Sequence, residues 1–160
     1  MGPTVFRARA GADPGDARAL VICCSGSAWL PATEELVAHL ALAPGSYDLL
    51  AVPGGAQFLL AGEYLPKFAW AGQRWLKFLA EEHELARIVV VAHQDCAWYA
   101  AEHAVPAFLH AALGIDAADR QRQDLARIAG VVRQLRPTAV VEAYFAAKAA
   151  DGTVEFSREV

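Results

Sequence analysis

The sequence predicts an α/β fold: a mainly parallel, doubly wound sheet of about four strands plus an antiparallel fifth strand. Three observations point there. Short apolar runs alternate with amphipathic stretches along the chain. Residues 19–24 and 87–92 are continuously apolar apart from Arg87, the mark of strands buried on both faces. Asp151 and Gly152 separate the last two β-type runs, a hairpin signal that turns the final strand back beside its predecessor.

Residues 1–18 mix Arg7, Arg9, Asp13 and Asp16 with Gly and Pro and read as a lead-in; residues 19–160 read as a single domain. The first strand is Ala19–Cys24. Thr33 is placed to cap a helix over 34–42, where Glu34 and Glu35 suit the positive end, and Pro44-Gly45 breaks it. A second strand, Tyr47–Val52, stops at Pro53, Gly54 and Gly55. Phe68, Trp75, Phe78 and Leu79 recur at helical spacing and predict a helix over 67–84. After the strand Arg87–Ala92, a helix is expected from Cys96 towards Leu113, bent near Pro106. The next helix covers 119–136, with an apolar stripe of Leu125, Ile128, Val132 and Leu135, and Pro137 ends it. Strands at 138–145 and 153–156 close the order.

Bulk properties narrow the function. The 160 residues are 56% hydrophobic with a net charge of −4, which argues for a packed core and against nucleic acid or an anionic membrane as partner. No apolar run approaches the roughly 20 residues that span a bilayer, and the N-terminus lacks the apolar stretch of a signal peptide. Three cysteines, two of them adjacent, make no disulfide framework and fit a cytoplasmic, reducing setting.

Two apolar strands end on soft metal ligands: the first on Cys24, the third on His93, with Cys96 three residues later. With strand order 2-1-3-4-5, strands one and three are neighbours and the winding reverses between them. The crevice outside their carboxyl ends is then the default ligand site. A lone buried Cys or His is more often plain core. Jointly, two thiols and one imidazole at a switch point match the donor set of a three-ligand zinc site with one open position. Cys23 points to the other strand face and reads as core.

At these residues the chain resembles the β-class carbonic anhydrases, which carry a Cys-x-Asp-x-Arg segment at one strand end and His-x-x-Cys-Gly at another. Here those segments are Cys24 to Ala28 and His93 to Ala97. The resemblance extends over Asp48–Ala56, Val141–Phe145 and Asp151–Glu155, and so over most of the chain from Ala19. It implies Zn²⁺ held by Cys24, His93 and Cys96, and hydration of carbon dioxide, or of a related small linear electrophile, by a zinc-bound hydroxide. It also implies a homodimer, although the lead-in is shorter than the family's N-terminal helical arm; Phe68, Trp70 or Trp75 would then supply contacts.

The pattern departs at three places. The family Asp falls on Gly26, the family Arg on Ala28, and the Gly after the second Cys on Ala97. Two thiolates cancel the charge of Zn²⁺, so this site leans on its surroundings to acidify water. Gly26 and Ala28 cannot supply the orienting carboxylate and its arginine. Weakened or redirected activity follows, and the alternative is a catalytically silent, zinc-stabilised scaffold or binding subunit. A metal-free thiol site using Cys24 or Cys96 is a third reading.

Asp95 is the available replacement carboxylate, but its place before a helix makes it a cap first. Gly26, Ala28, Trp29, Gln57, Ala97 and Trp98 are the residues expected to line a pocket for a small neutral substrate. His39, His83, His103 and His110 read as surface or cap residues. Arg120, Arg122, Arg127, Arg133 and Arg136, with Asp124 among them, read as a solvated helix face. Ser25 and Ser27 lie in no Gly-x-Ser-x-Gly elbow, and Leu30 stands where a phosphate loop would need Arg.

Overall fold

A computed structural model describes residues 5–6, 17–63, 65–101 and 116–160. The strands are β1 (Ala19–Cys24), β2 (Tyr47–Val52), β3 (Arg87–His93), β4 (Val140–Lys148) and β5 (Val154–Arg158). They form one sheet in the order β2-β1-β3-β4-β5. β1 runs parallel to β2 and β3, β3 parallel to β4, and β5 antiparallel to β4. The expected order and directions are those observed.

Alternation along the central strands builds two cores. Leu20, Ile22, Ile88, Val90, Ala143 and Phe145 face one side. There they meet α2 (Pro66–Glu82) through Leu76 and Ala80, and a long helix over Ala117–Leu135 through Leu125, Ile128 and Val132. Val21, Cys23, Val89, Val91 and Tyr144 face the other side, against Leu36 and Val37 of α1 (Leu30–His39). Each fully buried aliphatic side chain contributes about 1.5–3 kcal/mol. Helices on both faces make the sheet doubly wound, and the winding reverses between β1 and β3. Arg87, at the start of β3, bonds the buried Glu142 of β4 at 2.5 Å and the Leu40 carbonyl at 2.9 Å, tying the sheet's lower edge to the end of α1.

Several local expectations are corrected. α1 begins at Leu30, with Pro31 in its first turn, where a missing N–H costs nothing. Thr33 lies inside that helix and gives its hydroxyl to the Trp29 carbonyl at 2.9 Å, so it is not the cap. After the Pro53-Gly54 turn, Gly55–Glu63 forms a 3₁₀ segment that carries Phe58 and Leu59 into the core. Of the helix expected from Cys96 towards Leu113, the described residues hold one turn, α3 (Ala97–Ala100), which ends at Ala101, extended at φ −74 and ψ 145. Leu113, Pro106, His103 and His110 lie outside the described residues. The long helix, α4 (Ala117–Leu135), starts earlier than expected, with the Asp116 side chain accepting the Ala118 amide at 2.9 Å.

Candidate metal centre

β1 delivers Cys24 and β3 delivers His93 to the same rim of the sheet. The turn after His93 folds back so that Cys96 becomes the N-cap of α3. The Sγ atoms of Cys24 and Cys96 lie 3.8 Å apart, and the ligand atoms of Cys24, His93 and Cys96 all fall within 4.8 Å of one another. Cys96 and His93 are buried and Cys24 is half-buried, so the cluster is open on one side. Cys23 points away into the second core, where burial pushes its thiol up to about 11.

The protonation of the cluster follows from its geometry. The Cys24 thiol is pulled well below its ordinary range, chiefly by a hydrogen bond from Cys96. Burial opposes this, and the amides of Gly26 and Gly54 add to it. Cys96 is pushed up by that same bond and by burial, with the amides of Tyr99 and Trp98 working against the rise. Thiolate character thus favours Cys24 over Cys96, and a divalent ion would stabilise both sulfurs as thiolates.

Three observations fit a metal to these donors. His93 Nδ1 donates to the Gln94 carbonyl at 2.7 Å, which fixes the tautomer so that in the neutral imidazole Nε2 carries the free lone pair. Nε2 is buried and has no hydrogen-bond partner among the described residues. A buried polar atom left unmatched costs about 1–3 kcal/mol, and coordination removes that cost. Two thiolates at about 2.3 Å from a tetrahedral zinc would stand about 3.8 Å apart, and the Sγ–Sγ distance has that value. The donors fit Zn²⁺.

The surroundings sort the expected pocket residues. Trp29 is buried and stacks on His93, with ring centroids 4.8 Å apart. Gly26 lies beside the cluster: a Cβ there would stand 3.6 Å from His93 Nε2 and 3.7 Å from Cys24 Sγ, ordinary contact distances. Gln57 is buried and accepts the indole N–H of Trp98. Phe68 stacks on Trp98 at 5.2 Å, so it is a wall of this region rather than an exposed contact residue. Gly54, at φ +76, lets the Trp98 ring lie against the backbone, since a Cβ there would come within 2.2 Å of the indole. Ala28 and Ala97 are exposed at the rim.

Asp95 does not cap α3. It sits at φ +55 on the surface with its carboxylate 3.3 Å from Lys148 Nζ, and Lys148 Nζ in turn lies 5.8 Å from the Trp29 ring centre. His39 is exposed, and His83 pairs with Asp48 at 2.6 Å, well away from the rim. The arginine face is also corrected: Arg120 and Asp124 are buried, and Arg122 lies 4.0 Å over the Phe145 ring. The stacking of Trp29 on His93 and the Gln57–Trp98 bond were not expected; nearness of Trp29 and Trp98 to the ligands in the chain was the only signal.

No protein-family model matches the chain, and no curated protein sequence does. Solved structures do. A carbonic anhydrase from Glaciozyma antarctica superposes with a TM-score of 0.58 at 13% identity, covering 92% of this chain and 84% of that one. The carbonic anhydrase of Streptococcus mutans gives 0.52 at 17% identity, covering 89% and 82%. The β-carbonic anhydrase CafA of the fungal pathogen Aspergillus fumigatus gives 0.55 at 14% identity, covering 91% and 77%. At these identities the likeness is one of fold: the chain has the fold of the β-class carbonic anhydrases, in a divergent form.

Proposed function

We propose that this chain is a zinc-binding, β-carbonic-anhydrase-like protein in which Cys24, His93 and Cys96 hold the ion. The observation that carries this is the unmatched, buried Nε2 of His93 beside two sulfurs. Bound zinc would supply a Lewis acid able to acidify water or polarise a small electrophile. The chain's own residues do the rest. Cys24 and Cys96 neutralise the ion, and the Gln94 carbonyl keeps His93 in the tautomer that ligates. Trp29 limits the ring's rotation, while Trp98, Phe68 and Gln57 make a largely apolar wall.

The substrate we favour is carbon dioxide or a similar small, neutral, linear molecule, hydrated more weakly than a site with an orienting carboxylate would allow. Gly26 has no side chain, and Asp95 is engaged by Lys148. That same observation favours a second reading, a catalytically silent scaffold stabilised by zinc. Metal analysis followed by stopped-flow hydration at alkaline pH separates the two. One zinc per chain with hydration above buffer supports the enzyme; zinc without hydration leaves the scaffold.

We further propose a homodimer in a reducing, cytoplasmic setting. Trp70, Trp75, Phe78 and Leu49 are exposed apolar side chains that suit contact with a second copy. Among the described residues no helix is long and apolar enough to cross a membrane. Light scattering after size exclusion is expected to give twice the chain mass; a monomer at all concentrations would contradict the dimer.

A further inference from the structure

A buried polar cluster lies directly behind the rim. Tyr99, Arg120 and Asp124 are 3%, 5% and 8% exposed. Burying a guanidinium and a carboxylate costs several kcal/mol each unless their partners are well placed. Contacts from both converge on Tyr99, while Arg120 Nε has no hydrogen-bond partner among the described residues. The Arg120 guanidinium donates to the Tyr99 carbonyl and lies 5.0 Å over the Tyr99 ring, while the Tyr99 hydroxyl donates to Asp124 Oδ2 at 3.2 Å. Arg120 and Asp124 are four residues apart on α4, hence on one helix face. Tyr99 is therefore gripped by its carbonyl, its ring and its hydroxyl.

The gripped residue belongs to α3, a single turn of four residues. An isolated turn that short does not hold itself together. Its N-cap is Cys96, whose side chain makes no capping bond. What fixes the turn, and with it one thiol of the cluster, must come from outside α3.

We propose that Arg120, assisted by Asp124, is a positioning residue for Cys96: α4 clamps Tyr99, the clamp fixes the α3 turn, and the turn holds the sulfur where the metal needs it. This rests on the zinc reading above, since it makes metal affinity the property that the clamp controls. It also explains why a buried arginine stands on a helix whose other arginines are on the surface or half-buried. Arg127 provides a comparison, because it touches the same Asp124 at 3.3 Å from an exposed position.

The test compares Arg120→Met, Arg120→Lys, Tyr99→Phe and Arg127→Ala with the parent chain, each checked for folding by far-UV circular dichroism. Three readouts are used: zinc affinity by competition with a chromophoric chelator, the thiolate-to-cobalt charge-transfer band, and alkylation of Cys96 relative to Cys24 in the chelated chain. Arg120→Met is expected to weaken zinc binding by about 10-fold or more, to shift the cobalt band and to speed alkylation of Cys96. Arg120→Lys keeps the charge but loses the planar fork and should recover only part. Arg127→Ala should match the parent.

If Arg120→Met does not fold, Tyr99→Phe carries the test, with a smaller change in the same direction. A folded Arg120→Met or Tyr99→Phe that matches the parent in all three readouts would overturn the clamp. If the parent takes up no zinc, the zinc reading fails instead. The Cys96 alkylation ratio then decides the clamp by itself: a rise in Arg120→Met supports it, and no change overturns it.

Discussion

Gly26→Asp and Ala28→Arg together are expected to raise carbon dioxide hydration by about 10- to 100-fold, the usual weight of groups that orient a metal site's ligands. The backbone has room for the change: a Cβ at position 26 would make only ordinary contacts with His93 Nε2 and Cys24 Sγ. The carboxylate would then stand over the open side of the cluster. The arginine is needed as well. Two thiolates already balance a divalent ion, so an unpaired carboxylate would leave the site net negative and free to coordinate. Gly26→Asp alone is therefore expected to tighten zinc binding with little gain in rate. Stopped-flow hydration of the two variants and the parent checks this. No gain from the pair, with zinc bound, would mean that the site differs from an active one by more than these two side chains.

Loss of one ligand is the second large effect. His93→Ala or Cys96→Ala is expected to reduce zinc from near one equivalent to near none. The stability consequence follows from linkage: with free zinc at 100 times its dissociation constant, binding adds about 2.7 kcal/mol to the native state. For a chain of this size that corresponds to roughly 5–11 °C in Tm. The parent should therefore lose about that much on chelation, and the ligand variants should show no zinc-dependent shift. Cys23→Ala is the matched control. It removes a buried sulfur and destabilises the core, but it should keep the full zinc response, since its side chain faces the opposite core from the cluster.

Much of this architecture is legible in the chain because the strongest signals are local. β1 and β2 have the bounds that their apolar runs and the following Gly or Pro residues mark. The 2-1-3-4-5 order follows from alternating strands and helices with a terminal hairpin. Cys24, His93 and Cys96 meet because two neighbouring parallel strands end at the same level. What was not legible depends on distant partners. The 3₁₀ segment at 55–63 has no 3.6 period, and packing against the sheet under Phe58 holds it. Arg120 and Asp124 sit between surface charges in the sequence, and their partner Tyr99 lies 21 and 25 residues away. Pro31 was a usable start signal for α1 that the more familiar Thr33-Glu pattern outweighed.

The central claim is that one ion joins three side chains from two strand ends. A crystal of the reduced chain loaded with zinc, measured on both sides of the zinc absorption edge, tests it most directly. The account predicts one anomalous peak at the sheet rim, about 2.3 Å from the sulfurs of Cys24 and Cys96 and about 2.0–2.1 Å from Nε2 of His93. A zinc-loaded crystal with its peak elsewhere, or with any one of those three atoms out of bonding range, would contradict it.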